Sequence, residues 1–343
     1  MKRIHDVFEE FATYKTIWLA FDAIRRENKK KHRRKIRAFA KHIYENIRMI
    51  VRALRNKTWR MHPYKHIVRM EGKKLRDIWY SPDFTDMIVQ RAFCMTIGKL
   101  LNKSLIKDTY AGIPGKSMHK AIRKIWRKIR KLKRYGRLWA FKSDFKKFYM
   151  SIDHEILKYL LSLKIKDKDM LWYLCYLVDS SPMPVGLPIG NMMSTVFANF
   201  YVNSIDRLCR AKGSVYARYN DDVVFVYYNK DIVRDYRVSM QSAAANLKLT
   251  VKHDGSLFPV DSFGLDFVGY VIQDDRMLVR RRTERAFRHR ASCFNKRPTR
   301  HGARGMTSYW GYCKRVKSGR QLWRSCTGVG IEYFNDYVEK LCA

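Results

Sequence analysis

Residues 218–222 read Arg-Tyr-Asn-Asp-Asp, between Ser-Val-Tyr-Ala at 214–217 and Val-Val-Phe-Val-Tyr-Tyr at 223–228. Two buried strands joined by a tight turn would carry Asp221 and Asp222 at their tip. Neighbouring carboxylates disfavour each other's ionised form, so this is a poor arrangement for stability alone. A divalent cation reverses the cost: hard Mg²⁺ takes carboxylate oxygens together with substrate phosphate oxygens, which suits phosphoryl or nucleotidyl transfer. The same residues also suit a solvated Asn-Asp hairpin turn. A third acid, Asp144, ends the apolar-basic run Leu-Trp-Ala-Phe-Lys-Ser at 138–143. A nucleotidyl transferase needs carboxylates from two separate strands to hold two metals, one activating the 3′-hydroxyl and one on the triphosphate. The interval from Asp144 to Asp221 is compatible with two adjacent antiparallel strands of one sheet. On this reading Asp144 and Asp221 are direct ligands and Asp222 a supporting one, while Asp153 and Asp206 are helix N-terminal or structural acids.

The elements that must position these acids follow from periodicity. Apolar residues at helical spacing (Ile17, Leu19, Phe21, Ile24) make 1–60 helical, and the basic run at 25–37 suits phosphate contact as well as a solvated face. Residues 64–80 alternate as two strands about a Glu-Gly turn, and 84–105 return to helix. A second basic helix over 117–134 carries the stripe Ile122, Ile125, Trp126, Ile129 and Leu132. Then come strand 138–144, a helix from about 153, a helix over 190–210, hairpin 214–228, helix 231–247, strand 248–252 and a hairpin around 263–280. Residues 281–343 are basic, aromatic and helical, a separate lobe. Helices and strands without a regular β-α-β rhythm point to an α+β fold.

Composition narrows the partner. The 343 residues include 71 Lys+Arg against 31 Asp+Glu, a net charge of +40, with 46% apolar and 14% aromatic content. That is a folded chain whose self-repulsion calls for a polyanion. Membrane surface, acidic protein and nucleic acid all qualify; nucleic acid is favoured because the basic residues spread through the chain and interleave with Trp, Tyr and Phe. Seven scattered cysteines with no Cys-x-x-Cys pair argue against a disulfide framework or structural zinc, and for a reducing cytoplasm. The N-terminus lacks a signal-peptide apolar run. Residues 180–205 carry no charge, but Pro182, Pro184, Pro188, Gly186 and Gly190 break them and three Asn would be costly in lipid, so no membrane span is expected.

With these residues in hand the chain resembles reverse transcriptases. Ser143-Asp144-Phe145-Lys146-Lys147-Phe148-Tyr149-Met150-Ser151-Ile152-Asp153 is similar to their motif A, Gly186-Leu187-Pro188-Ile189-Gly190-Asn191 to motif B, and Tyr219-Asn220-Asp221-Asp222 to motif C. Gly264-Leu265-Asp266-Phe267-Val268-Gly269-Tyr270 resembles the primer-grip hairpin. Lys74-Leu75-Arg76-Asp77-Ile78, Asp108-Thr109-Tyr110-Ala111-Gly112 and Gly115-Lys116 resemble the fingers motifs. The resemblance runs in register over about 65–275. It implies a right-hand polymerase fold: a basic helical N-terminal extension (1–63), fingers with part of the palm (64–142), a palm sheet with catalytic hairpin and primer grip (143–280) and a small helical thumb (281–343).

It also implies an RNA-templated DNA polymerase using two Mg²⁺ ions (Mn²⁺ as substitute) and dNTPs, with Asp144, Asp221 and Asp222 catalytic. Tyr149 would exclude a ribose 2′-hydroxyl, Arg76 would bind the incoming nucleotide's phosphate and lie over its base, and Gly190 would let backbone approach the nascent pair. Lys74, Phe145 and Ile189 complete the implied nucleotide site, and Lys146 and Lys147 suit either triphosphate neutralisation or solvation. Implied partners are a template RNA with structured scaffold, the cDNA and RNA–DNA hybrid, and a small basic accessory protein, in a bacterial or phage-encoded cytoplasmic system. The pattern is most similar to enzymes of diversity-generating retroelements. It departs from them at Asn220, at Thr195 where Gln is usual, and at Asp254-Gly255, near Lys252, where a general-acid lysine is expected. Phage-defence or abortive-infection enzymes copying a noncoding RNA, retron-like enzymes, and a non-catalytic RNA-binding scaffold are the alternatives.

Overall fold

The protein is described by a computed structural model over residues 3–27, 32–71, 74–208, 213–252, 256–273 and 275–342. It folds as two compact units, one of residues 1–114, 145–208 and 239–252, the other of 115–144, 209–238 and 253–343. The division between Asp144 and Phe145 falls within the motif that carries the first acid.

In the first unit the helix Tyr14–Glu27 buries Ile17, Ala20, Phe21 and Ile24, one face at three-to-four spacing. It packs on the helices Ile43–Arg55 and Phe84–Met95. The rings of Phe21, Phe39 and Phe84 meet at 5.1–6.3 Å, and each fully buried ring of this kind contributes about 1.5–3 kcal/mol. Two strands, β1 (Lys65–Glu71) and β2 (Lys74–Tyr80), pair antiparallel as a ribbon. The uncharged stretch contains the helix Met192–Tyr201, in which Met193, Val196, Phe197, Ala198, Phe200 and Tyr201 are all buried. It is buried on most of its surface because it lies among three helices, Phe84–Met95, Ile97–Ser104 and His154–Lys164. No helix among the described residues is long and apolar enough to cross a membrane. The helix expected over 190–210 breaks at Val202 and resumes as Asn203–Leu208; part of the basic run at 25–37 and residues 209–210 lie outside the described residues.

The second unit is built on a four-stranded antiparallel sheet of β3 (Trp139–Ser143), β4 (Val215–Tyr219), β5 (Asp222–Tyr227) and β6 (Ser256–Pro259), in the order β4-β5-β3-β6. Period-2 alternation sorts its faces. Phe141, Tyr216 and Phe225 share one face, and Tyr236 of the helix Lys230–Asn246 packs on them, stacked on Phe225 at 4.3 Å. Lys142, Val224 and Asp222 lie on the other. The strand expected over 248–252 is instead a single bridge, Phe145 to Val251; the edge strand is β6, which the sequence reading did not anticipate. The expected hairpin near 263–280 is a three-stranded meander of β7 (Leu265–Phe267), β8 (Tyr270–Ile272) and β9 (Met277–Val279). Four helices follow, and Phe287, Phe294, Met306, Trp323 and Phe334 form their separate core.

Candidate active site

The register of the sheet brings the three acids together. β3 pairs with β5 so that Ser143 faces Val223; carried one residue on, Asp144 lies opposite Asp222. Cross-strand partners share a face, so Lys142, Asp144 and Asp222 line the side opposite Tyr236. Tyr219 pairs with Asp222, leaving Asn220-Asp221 as a two-residue turn. Asn220 has φ +56°, a left-handed conformation that Asn adopts more readily than most residues. The departure at Asn220 is thus a local fit to the turn.

Arg218 supports this tip from within. It is fully buried, and its guanidinium donates to the Asn220 carbonyl at 3.0 Å. The sequence offered one signal for it, a charge inside an otherwise apolar strand immediately before the acidic turn.

The cluster carries the electrostatic signature of a cation site. Burial raises the pKa of Asp222; Lys142 opposes this, Asp221 and Asp144 raise it further, and Arg280 opposes. No donor among the described residues hydrogen-bonds its carboxylate. Three carboxylates on one turn and one neighbouring strand end, all hard oxygen donors, fit divalent ions of the Mg²⁺ type.

The other predicted residues belong to the first unit. Tyr149 lies half-buried in the short turn Phe148–Ser151, its hydroxyl 3.3 Å from Thr195 Oγ1 and its ring edge-on to Phe148. Loop 186–187 holds that segment by backbone bonds, Leu187 N to Tyr149 O at 2.8 Å and Gly186 N to Ile152 O at 2.9 Å. Thr195 also abuts Gly112: a Cβ on Gly112, whose φ is +65°, would fall 2.2 Å from Thr195 Cγ2. The residue that departs from the retroelement pattern therefore sits between the Tyr149 hydroxyl and the 108–112 loop.

Gly190 has φ +110°, and a Cβ there would lie 2.9 Å from Ile78 Cγ2 and 3.2 Å from the Trp79 carbonyl. The Trp79 amide donates to the Ile189 carbonyl at 2.9 Å, so the loop at 189–190 is sealed to the base of β2. Arg76 is two residues from Ile78 and therefore on the same face of the ribbon, exposed. Lys74 opens β2, but its side chain lies outside the described residues. Phe145 is 1% exposed and stacked on Phe148, so its ring belongs to the core and only its backbone is left for a ligand. Lys147 adopts a left-handed φ of +47° at the head of the turn. Asp153 caps the helix His154–Lys164 and pairs with Lys248 at 2.7 Å, and Asp206 accepts from Thr109 in the interior; both are structural acids. The position Asp254-Gly255 lies outside the described residues, and Lys252 is exposed.

In the second unit the β7–β8 turn is tied to the following helices. Arg280 donates through Nε to Asp266 at 2.5 Å, and its backbone N–H to the Gly269 carbonyl at 3.0 Å. Tyr312 packs its ring on Gly269, and His119 Nδ1 lies 3.0 Å from the Tyr270 hydroxyl. Burial, with Arg315, Lys314 and Arg123 nearby, pushes the His119 pKa down to about 4. Nothing distinguished Arg280 or His119 in the sequence, where each is one basic residue among many.

Residues 55–272 match the reverse transcriptase (RNA-dependent DNA polymerase) family. The chain is 26% identical over 173 residues to the group II intron-encoded protein LtrA of Lactococcus lactis subsp. cremoris, covering 48% of this chain and 28% of that protein. It is 23% identical over 134 residues to protein YkfC of Escherichia coli K12, covering 37% and 35%. It thus spans about a third or less of the length of these relatives. Among solved structures, apo telomerase from Candida tropicalis aligns with a TM-score of 0.52 at 12% identity, over 82% of this chain and 58% of that one. The same enzyme lacking its C-terminal domain aligns at 0.51 and 14%, over 64% and 55%. These likenesses establish the polymerase fold.

Proposed function

The chain belongs to the reverse transcriptase family, and from that premise we propose that it is an RNA-templated DNA polymerase making cDNA from a dedicated template RNA. The observation that carries this is the β3–β5 register, which sets Asp144 against Asp222 with Asp221 in the adjoining turn. Asp144 and Asp221, with Asp222 supporting, would hold two divalent ions, Mg²⁺ or Mn²⁺. When bound, such ions neutralise the triphosphate and activate the primer 3′-hydroxyl. Tyr149 selects deoxynucleotides by filling the space of a 2′-hydroxyl, held at its tip by Thr195. Arg76 meets the incoming nucleotide, and the tight seat of Gly190 on β2 supports backbone approach to the new pair. Asp266, Arg280 and Tyr312 fix the hairpin that presents the primer. The net charge of +40 supports a nucleic-acid partner.

The finer assignment is to a diversity-generating retroelement, working with a small basic accessory protein. A phage-defence enzyme copying a noncoding RNA is the second reading, favoured by Thr195, which stands against Gly112 where the retroelement pattern has Gln. Sequencing cDNA from cells expressing the protein with its native flanking DNA, against an Asp221→Asn/Asp222→Asn control, separates them. Mismatches concentrated at template adenines support the first; faithful, repetitive or untemplated cDNA supports the second. Absence of cDNA above the control overturns both.

A further inference from the structure

Between segment 60–64 and the end of the helix Lys168–Asp179 the first unit has an open cleft of about 570 Å³, lined by Arg60, Met61, His62, Tyr64, Tyr176 and Asp179 together with Pro63, Ser180 and Pro182. None of these residues belongs to the motifs discussed above. Tyr64 and Tyr176 give it an aromatic lining. Next to it the exposed Trp172 lies nearly parallel to Tyr176, 13° apart with centroids at 6.1 Å. The Arg60 guanidinium lies 5.1 Å from the Tyr176 ring centre and 5.8 Å from that of Trp172, and Lys57 lies 5.6 Å from Trp172. Lys57 is engaged by Asp169, whereas Arg60 bonds only backbone carbonyls, of Lys57 and Trp59, among the described residues. Its charge is therefore not cancelled by a carboxylate. His62 is half-exposed beside it, anchored through Nδ1 to the buried Asp86. The one acid in the lining, Asp179, is already met by Lys158 at 2.9 Å.

We propose that this cleft takes a single unstacked nucleotide of the bound RNA, its base against Tyr176 and its phosphate at Arg60. Aromatic faces with an uncancelled guanidinium are the chemistry that holds single-stranded nucleic acid without reading its sequence, and the volume is that of a small-ligand site. A hydrophobic peptide would gain nothing from the cationic rim, and a free anion nothing from the rings. The cleft is also wired to the loop at 186–191. Tyr64 accepts at 2.8 Å from the side-chain amide of Asn191, which caps the helix Met192–Tyr201. An occupant resting on Tyr64 therefore stiffens the loop that carries Gly190.

The inference rests on the proposed function in one respect, that the polyanion is RNA. The full chain is cross-linked by light to a single-stranded RNA carrying 4-thiouridine, and the modified peptides are mapped by mass spectrometry. Binding of the same RNA is measured for Arg60→Ala, Tyr176→Leu and Tyr176→Phe. Cross-links within residues 60–64 and 172–182 are expected. Affinity should fall on the order of tenfold for Tyr176→Leu and should be retained by Tyr176→Phe, which keeps the ring but not the hydroxyl that accepts from Met61. Cross-links confined to other regions would overturn the proposal. So would unchanged affinity in both Arg60→Ala and Tyr176→Leu, including the case where those variants lose a protein partner instead. The two readings fail separately: a protein that cross-links RNA here yet extends no primer keeps the cleft and loses the polymerase.

Discussion

Replacing Asp222 by Asn separates the cost of assembling the carboxylate cluster from its use. Asp222 is desolvated, and Asp221 and Asp144 add repulsion against Lys142 and Arg280. Arg280 is at the same time bound to Asp266, so its charge is divided between that carboxylate and Asp222. Asn is nearly isosteric and neutral, and no hydrogen bond from the described residues is lost with the charge. Without divalent ions the Asp222→Asn protein should therefore melt above the parent. With Mg²⁺ the order should reverse. A ligand at a hundred times its Kd stabilises by about 2.7 kcal/mol, roughly 5–10 °C in Tm for a domain of moderate size; the variant, short of one oxygen donor's charge, should gain much less. Primer extension should fall on the order of 10–100-fold, as for a group that supports metal ligands. The assay is thermal melting in EDTA and in a Mg²⁺ series, with extension measured on the same samples. A variant that melts lower in EDTA, or gains as much from Mg²⁺ as the parent, would show respectively that Asp222 is not strained in the free protein or not used by the ion.

Other perturbations test other parts of the account. Tyr149→Ala should admit ribonucleotides in extension assays with competing rNTPs; unchanged discrimination would remove its gate role. Gly112→Ala should destabilise by about 2–5 kcal/mol from left-handed strain and overpacking against Thr195. Adding Thr195→Ser, which deletes the clashing methyl and keeps the hydroxyl, should recover part of that loss in denaturant melts; no recovery would deny the contact. His119, held near pKa 4 in the fold against 6.5 when unfolded, binds protons preferentially in the unfolded chain. Stability should thus fall as pH drops from 6.5 towards 4, and His119→Phe should flatten that limb relative to the parent. RNA affinity should decline steeply with salt as counterions are released; a salt-independent affinity would assign the positive charge to another task.

What could be read from the sequence was what obeys short-range periodicity. The adjacency of Asp144 and Asp221-Asp222 followed because apolar strands flank a turn residue that tolerates positive φ, and antiparallel pairing then leaves few registers. The helix Met118–Leu132 followed from its stripe, of which Ile122, Ile125, Ile129 and Leu132 are buried. Contacts between residues far apart in sequence were not legible. Thr195 stands out in the sequence as a departure, but its seat against Gly112 and Tyr149 depends on how the helix Met192–Tyr201 packs among three others. Phe145 matched a nucleotide-site motif, yet its ring, two residues past the end of β3, is turned into the core against Phe148. β6 escaped because four residues ending in Pro259 carry almost no pattern, and β3 supplies the pairing. Arg60 and Arg280 were hidden by abundance: with 71 basic residues, only geometry distinguishes those that lie over a ring or beside a carboxylate.

The most direct test of the central claim is incorporation of dNTPs by the purified protein on a defined RNA template annealed to a DNA primer, with and without Mg²⁺. Extension should be template-dependent, should require the divalent ion and should disappear in Asp144→Asn and in Asp221→Asn/Asp222→Asn proteins that still bind the RNA. Extension that survives those substitutions, or a well-folded parent that binds RNA in Mg²⁺ and adds no nucleotide to any primer or RNA end, would contradict that claim.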